Sequence, residues 1–383
     1  MSDAMRFADE YRDEGRARLL ATRLADAAGA EPDRTFRIME VCGGHTHAIH
    51  RHGLGTHLPA NVAYVHGPGC PVCVLPRGRL DDAVALARDH DVTLCSYGDV
   101  LRVPGTHGSL LEARSAGADV RIVYSPLDAV ALAAAEPRRQ VAFLGIGFET
   151  TAPATAAAIA AAHQQGVANF SVLCNLVRVV PPLAALLDDP ATRLDGLIGP
   201  GHVSTIIGCA PYVELVERFH VPLVVAGFEP LDLLAATLAV VRQLREGRAE
   251  VENGYRRAVT WDGNAAALAL LDEVFEVRDT FEWRGLGPIE RSGYRIADRY
   301  AAHDAERRFD LPGIPSPDPR ACRCGDVLRG AIEPDECRVF GTACTPEHPI
   351  GSCMVSSEGA CAAAFRYGPD AGRSIVTVGR HPS

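Results

Sequence analysis

Residues 36–47 read FRIMEVCGGHTH, a short apolar run that stops in a cysteine, two glycines and two histidines. The run predicts a buried strand, and the Gly-Gly pair lets the backbone turn tightly and approach a ligand closely. The pattern repeats outward. VAYVHG 62–67, VTLCSY 92–97 and VRIVYS 120–125 are further β-branched runs, with LDDAVALARDH 80–90 and LLEARSAGA 110–118 between them. After Pro137 the rhythm restarts with VAFLGIG 141–147, FSVLCN 170–175, LDGLIG 194–199 and PLVVAG 222–227. TAAAIAAAHQQG 155–166 and LLAATLAVVRQLREG 233–247 read as helices among them. Strands alternating with helices indicate βαβ units and parallel sheets, so the fold class is α/β.

FADEYRDEGRARLLATRLADAAG 7–29 reads as an amphipathic helix. The expected division is therefore an N-terminal helix in 1–29, one α/β domain over 30–137, a second over 138–250, and a C-terminal region over 251–383. Gly67-Pro68-Gly69-Cys70 and Gly199-Pro200-Gly201-His202 end strands in different halves, and Gly147-Phe148-Glu149 recurs as Gly227-Phe228-Glu229. These echoes are too short to establish a duplication. Their placement after strands matters more, because ligands of open α/β sheets bind outside the carboxyl ends of strands. Beyond 251 the pattern breaks, and WRGLGPIERSGY 283–294 is loop-like. Beyond 312 the chain is rich in Pro, Gly and Cys, and apolar burial alone looks too weak to order it. A bound metal centre would supply the missing stabilisation.

The 383 residues are 47% hydrophobic and 22% charged, ordinary for a chain that buries sizeable cores. A net charge of −10 argues against a general nucleic-acid binder and hints at partners with basic patches. No apolar run approaches the ~20 residues of a membrane span, and MSDAMRFADEYRDEG lacks a secretory core. The expected compartment is the cytoplasm, where thiols stay reduced. The 12 cysteines are then the anomaly, with six of them at 322, 324, 337, 344, 353 and 361. In a reducing compartment such a group serves metal or redox chemistry rather than a disulfide framework.

Four motifs carry the chemistry. In Cys42-Gly43-Gly44-His45-Thr46-His47, a soft thiolate and two imidazoles project from one turn and suit iron, copper or zinc. A buried cysteine beside surface histidines would leave the same string, and spacing does not say which residue touches metal. In Cys70-Pro71-Val72-Cys73, a C-x-x-C pair opening a helix should have thiol pKa values lowered by the helix N-terminus, as thiol–disulfide exchange requires. Half of a zinc site, or Cys–His nucleophilic catalysis, would use the same pair. Glu149, Thr150 and His202 follow strands and offer a carboxylate, a hydroxyl and an imidazole to a small polar ligand, although Thr150 and Ser204 suit helix caps equally well. Asp232 reads as a cap, and Cys95, Cys174 and Cys209 as small core residues. In the tail, four thiolates suffice for a [4Fe–4S] cluster or a zinc site. The spacings match neither a zinc ribbon nor a bacterial ferredoxin run, and two cysteines are left spare.

Taken together, the motifs resemble the hydrogenase maturation factor HypD family. The likeness runs through FADEYRD 7–13, EVCGGHTHAI 40–49, HGPGCPVCVLP 66–76, RVPG 102–105, GADVRIVYSP 117–126, GFETT 147–151, PGHVS 200–204, VVAGFEPLD 224–232, WRGLG 283–287 and the tail through SSEGACAA. It implies two Rossmann-like parallel-sheet α/β domains plus a C-terminal Cys-rich iron–sulfur region. It also implies a role in assembling the Fe(CN)2CO unit of [NiFe]-hydrogenases, whose large subunit is served indirectly. A HypC-type chaperone would be the partner, and HypE, charged with thiocyanate by HypF, would deliver cyanide. Cys42 would hold the transient iron, with a HypC thiol as a further ligand and His45 as a neighbouring ligand or orienting group. Cys70 and Cys73 would be the redox dithiol. Cys324, Cys337, Cys344 and Cys361 would bind the [4Fe–4S] cluster. Cys322 and Cys353 are then extra, an arrangement similar to ferredoxin–thioredoxin reductase, where a disulfide sits against a cluster.

Two other classes compete. A free-standing iron–sulfur thiol–disulfide oxidoreductase would need Cys70 and Cys73 but has no use for Cys42 and His45. A zinc-stabilised interaction protein would be colourless. Neither nucleic acid nor membrane is expected as a partner.

Overall fold

The computed structural model describes residues 9–311 and 313–368. Among the described residues, nine parallel strands form two sheets. They are β1 (Phe36–Glu40), β2 (Val62–His66), β3 (Val92–Ser96), β4 (Val120–Ile122), β5 (Gln140–Gly147), β6 (Phe170–Leu176), β7 (Gly196–Pro200), β8 (Leu223–Ala226) and β9 (Val251–Asn253). The first sheet has the order β2-β1-β7-β8-β9 and the second β4-β3-β5-β6. Every pairing within them is parallel. Their near-continuous burial explains why the strands read as unbroken apolar runs.

The strands do not divide at residue 137. The first sheet takes β1 and β2 from the start of the chain and β7 to β9 from far along it, and the second sheet is inserted between them. The expected domains 30–137 and 138–250 are thereby corrected, because β1 pairs β7 and β3 pairs β5 across that boundary.

The helix expected over 7–29 spans Glu14–Gly29, with Asp13 as its N-cap. Residues 7 and 8 lie outside the described residues. This helix and Pro230–Arg245 cover the outer face of the first sheet, where Leu24, Phe36, Ile38, Ile198 and Val224 are buried together. The segment expected to be loop-like, 283–294, belongs to antiparallel pairs: β10 (Phe275–Val277) with β13 (Tyr294–Ile296), and β11 (Thr280–Trp283) with β12 (Gly287–Glu290).

Apolar burial, expected to be too weak for the tail, does order it. Val327, Leu328, Cys353, Met354 and Val355 join the same core that holds Met39 and Leu94 from the two sheets. Among the described residues no helix is long and apolar enough to cross a membrane.

Candidate functional site

Each sheet has a point where its strand order reverses. From β1 the chain moves outward to β2, while β7 leads to β8 and β9 on the other side. The crevice beyond the carboxyl ends of β1 and β7 is therefore a topological switch point, the usual ligand position in open α/β sheets. Cys42 follows β1 as N-cap of helix Gly43–Arg51, and His202 follows β7 in helix Gly201–Ile207. Phe228, just after β8, stacks on His202 at 3.8 Å between ring centroids and tilts against His45 at 4.7 Å. An open cavity of about 550 Å³ lined by His47, Arg51, His202, Phe228 and Tyr255 adjoins them.

The loop after β2 rests on Cys42. The Gly43 N–H donates to the Gly69 carbonyl at 3.1 Å. A Cβ at Gly69 would stand 2.2 Å from the Cys42 nitrogen, so only glycine permits this approach. From the tail, Glu358 packs on Gly43, and the Ser357 carbonyl lies 3.2 Å from His47 Nδ1.

Beneath Cys42 lies Glu40, fully buried at the end of β1 and missed in the sequence reading. Its carboxylate accepts from the Cys42 N–H at 3.0 Å, from His66 Nδ1 at 2.8 Å and from the Thr46 hydroxyl. A glutamate among apolar strand positions was the available signal. Burial opposes the charge of His66, but Glu40 outweighs it and the imidazole pKa rises. Burial also pushes the Cys42 thiol up to about 12, with the charges of Glu358 and Glu40 adding to it. His45 is buried and its pKa falls, so the ring is neutral near pH 7. Its Nε2–H donates to the Ala226 carbonyl at 3.1 Å. The other nitrogen, Nδ1, is buried with no partner and presents a bare lone pair.

Cys70 caps the four-residue helix Pro71–Val74, its Sγ accepting the Cys73 N–H at 3.3 Å. The expected lowering of thiol pKa values is overturned at Cys73, where burial pushes the thiol well up. A helix of one turn has little dipole to oppose that. The Cys73 thiol neighbours and interacts with that of Cys353, Cys353 with Cys324, and Cys324 with Cys322. Ser352 Oγ donates to the Cys73 carbonyl at 2.7 Å.

All six tail cysteines line one cavity, and all twelve cysteines of the chain carry free thiols. The sulfurs of Cys322, Cys344 and Cys337 act on Cys361, and that of Cys361 acts on Cys353. Cys344 Sγ also accepts the Ile350 N–H at 3.3 Å. Among the described residues no three His, Cys, Asp or Glu side chains converge closely enough to share one metal ion. The donor set around the cavity is nonetheless all sulfur, the set an iron–sulfur cluster takes.

Glu149 lies at the switch point of the second sheet, where β3 and β5 adjoin. It is 3% exposed, and both carboxylate oxygens accept the Val179 N–H, at 3.1 and 3.2 Å. Burial raises its pKa to about 7. Burial pushes the pKa of the fully buried Tyr212 hydroxyl well up, and that hydroxyl lies 3.1 Å from Ser204 Oγ. Neither Thr150 nor Ser204 caps a helix. Thr151 occupies the N-cap position before Ala152, and Ser204 Oγ donates to the Pro200 carbonyl at 2.8 Å from within its helix. Asp232 does complete a capping box with Glu229. Cys95, Cys174 and Cys209 are buried core residues.

A family model named HypD, described as the hydrogenase formation hypA family, matches residues 16–368. Hydrogenase maturation factor HypD of Rhizobium leguminosarum bv. viciae is 54% identical over 371 residues, covering 95% of this chain and 96% of its own. The protein of that name from Azotobacter vinelandii is 53% identical over 382 residues, covering 98% of this chain and 100% of its own. The Escherichia coli K12 protein is 49% identical over 367 residues, covering 95% and 98%. With the family model matching residues 16–368 and these relatives about half identical over nearly their whole length, the chain belongs to the HypD family of hydrogenase maturation factors.

Proposed function

We propose that this chain assembles the Fe(CN)2CO unit of [NiFe]-hydrogenases, holding the iron as cargo on Cys42 and supplying electrons from paired thiols. The single observation that carries the reading is continuity. The Cys42 loop rests on the Cys70 loop, and Cys73 leads through Cys353 to Cys324.

A soft thiolate at Cys42 and the lone pair of His45 Nδ1 suit an iron that must become electron-rich enough to bind cyanide. The Ala226 carbonyl fixes the tautomer that frees Nδ1. A HypC-type chaperone thiol supplies a further ligand, and HypE brings cyanide as a thiocyanate made by HypF. Releasing cyanide from that sulfur takes two electrons and one proton and leaves a free thiol on the donor. Cys70 and Cys73 supply both electrons on closing to a disulfide and release two protons, one of which goes to the departing thiolate. Cys353 then attacks the disulfide at Cys73, and Cys324 resolves the mixed disulfide, restoring Cys70 and Cys73 as thiols.

The cysteines fall into two roles by their neighbours. Cys322, Cys337 and Cys344, whose sulfurs act on Cys361, would hold the [4Fe–4S] cluster with it, while Cys353, which interacts with both Cys73 and Cys324, would form the pair facing Cys73 with Cys324. This exchanges the roles that the sequence reading gave Cys322 and Cys324. A bound cluster supplies electrons singly, and the thiol pairs store them two at a time.

The test is an infrared spectrum of the anaerobically purified protein with its HypC-type partner and the cyanide donors. Metal-bound cyanide and carbon monoxide bands are expected, and Cys42→Ala should abolish them. If Cys70→Ala left the bands intact, the electron relay would be wrong.

A further inference from the structure

The cavity of about 550 Å³ beside the first switch point is lined by Gly44, His47, His202, Phe228 and Tyr255, but by neither Cys42 nor His45. Those two are 6% and 0% exposed. The Cys42 sulfur and the bare Nδ1 of His45 are therefore nearly closed off from the open space that adjoins them.

One side chain stands at that boundary. The Phe228 ring tilts against His45 at 4.7 Å between centroids and stacks on His202 at 3.8 Å, so it contacts both the buried imidazole and the one lining the cavity. A Cβ at Gly44 would lie 2.8 Å from Phe228 Cε1 and 3.8 Å from the Cys42 sulfur, so the ring edge and the sulfur border the same point. A Cβ at Gly201 would lie 3.1 Å from Phe228 Cε2. Two helices thus begin with glycine where the ring needs room. The backbone carrying the ring is held, because Glu229 and Asp232 form the capping box of Pro230–Arg245. The ring itself is half-buried and faces open space, so it can change rotamer into the cavity while its loop stays in place. A phenyl group neither ligates iron nor carries a proton. Its place among two imidazoles and a thiol is one of exclusion.

We propose that Phe228 is a gate and a specificity-determining residue, whose ring closes the passage from the cavity to Cys42 and His45 and limits the size of what enters. The inference rests on the reading of Cys42 and His45 as the holders of the iron. Swinging the ring out admits a ferrous ion or a narrow donor group such as a thiocyanate, and its return keeps bulk water from the cargo.

The experiment follows alkylation of each cysteine by mass spectrometry in the full-length, anaerobic protein without added iron. Iodoacetamide is compared with the bulkier N-phenylmaleimide, each scaled to its rate with free cysteine. On that scale the parent Cys42 should react more slowly with the bulky reagent. Phe228→Ala should speed Cys42 roughly tenfold with that reagent, as for a buried thiol that opens more often, and remove the size preference. Phe228→Leu should fall between, and the core thiols Cys95, Cys174 and Cys209 should keep their parent rates. An unchanged Cys42 in Phe228→Ala overturns the inference. Equal acceleration of the three core thiols also overturns it, because the ring would then only support the fold. Should Phe228→Ala not fold, Phe228→Leu decides alone, and a Cys42 rate equal to the parent's overturns it. Ferrous iron retained with the HypC-type partner tests the underlying reading separately. A parent that retains none overturns the iron reading, while the alkylation rates still decide the gate.

Discussion

The thiols of Cys73 and Cys353 are interacting neighbours, one just beyond β2 and the other deep in the tail. Ser352 fastens the same junction by donating to the Cys73 carbonyl at 2.7 Å. The tail is therefore not an appended cofactor domain. It is folded onto the first sheet at the point where electrons would have to cross, and Arg102 Nη2 ties it further by donating to the Val355 carbonyl at 2.9 Å.

Cys353→Ser keeps the size of a side chain that is 1% exposed and removes the sulfur between Cys73 and Cys324. A buried hydroxyl in place of a thiol should cost about 1–2 kcal/mol of stability, so the protein still folds. Assembly should stop after one turnover, with Cys70 and Cys73 trapped as a disulfide. Alkylation of those two thiols after reaction, alongside the infrared bands, reads the outcome. Repeated turnover by the variant would show that electrons reach Cys73 by another route.

Cys322→Ser and Cys324→Ser separate the two sulfur sets. Cys322→Ser should lower the iron and sulfide content and bleach the visible absorption. Cys324→Ser should keep the chromophore and lose the thiol pair. Iron and sulfide analysis of both variants settles it, and the reverse pattern would return the cluster to Cys324, Cys337, Cys344 and Cys361. A colourless parent rich in zinc would instead favour an all-thiolate zinc site.

His45→Gln tests the free nitrogen. The glutamine amide retains an N–H for the Ala226 carbonyl but has no ring Nδ1. Stability should fall by about 1–2 kcal/mol, as for a buried polar replacement. Iron retained with the HypC-type partner should fall to background in equilibrium dialysis. Full retention would make His45 a spacer against Phe228 rather than a ligand.

The strands were legible in the sequence, but their neighbours were not. Apolar runs located β1 to β8 to within a few residues, because strands buried on both faces are continuous hydrophobic stretches. Nothing in β1 itself says that Ile38 will stand beside Gly196 rather than a strand of its own half. β9 escaped notice because its three residues are only half-buried. β11 and β12 were hidden by Gly285, Gly287 and Pro288, which read as loop. The site motifs were legible as chemistry, since Cys42, His45, Cys70 and His202 all fall at carboxyl ends of strands of one sheet. Cys322 and Cys324 differ by two positions, and spacing cannot tell which one turns toward Cys361. The thiol pKa at Cys73 went the other way because burial outweighs a one-turn helix.

The buried carboxyl of Glu149 makes the stability of the fold depend on pH. An ordinary glutamate titrates at 4.5, and burial holds this one at about 7. Between those values the unfolded chain is ionised while the folded one keeps its proton. Stability is thus fully present below 4.5, falls as pH rises toward 7, and levels off above it. At about 1.4 kcal/mol per unit, the loss is somewhat more than ~3 kcal/mol by pH 8. Glu149→Gln removes the titration and still offers an oxygen to the Val179 N–H. Its melting temperature should match the parent near pH 4.5 and exceed it at pH 8. A carboxyl kept protonated at such a cost is a candidate proton carrier for assembly. The stabilised variant should therefore give weaker cyanide bands. A variant that is more stable at pH 8 with undiminished bands would assign Glu149 to the fold alone. One no more stable than the parent would show that the carboxylate is already charged inside the protein.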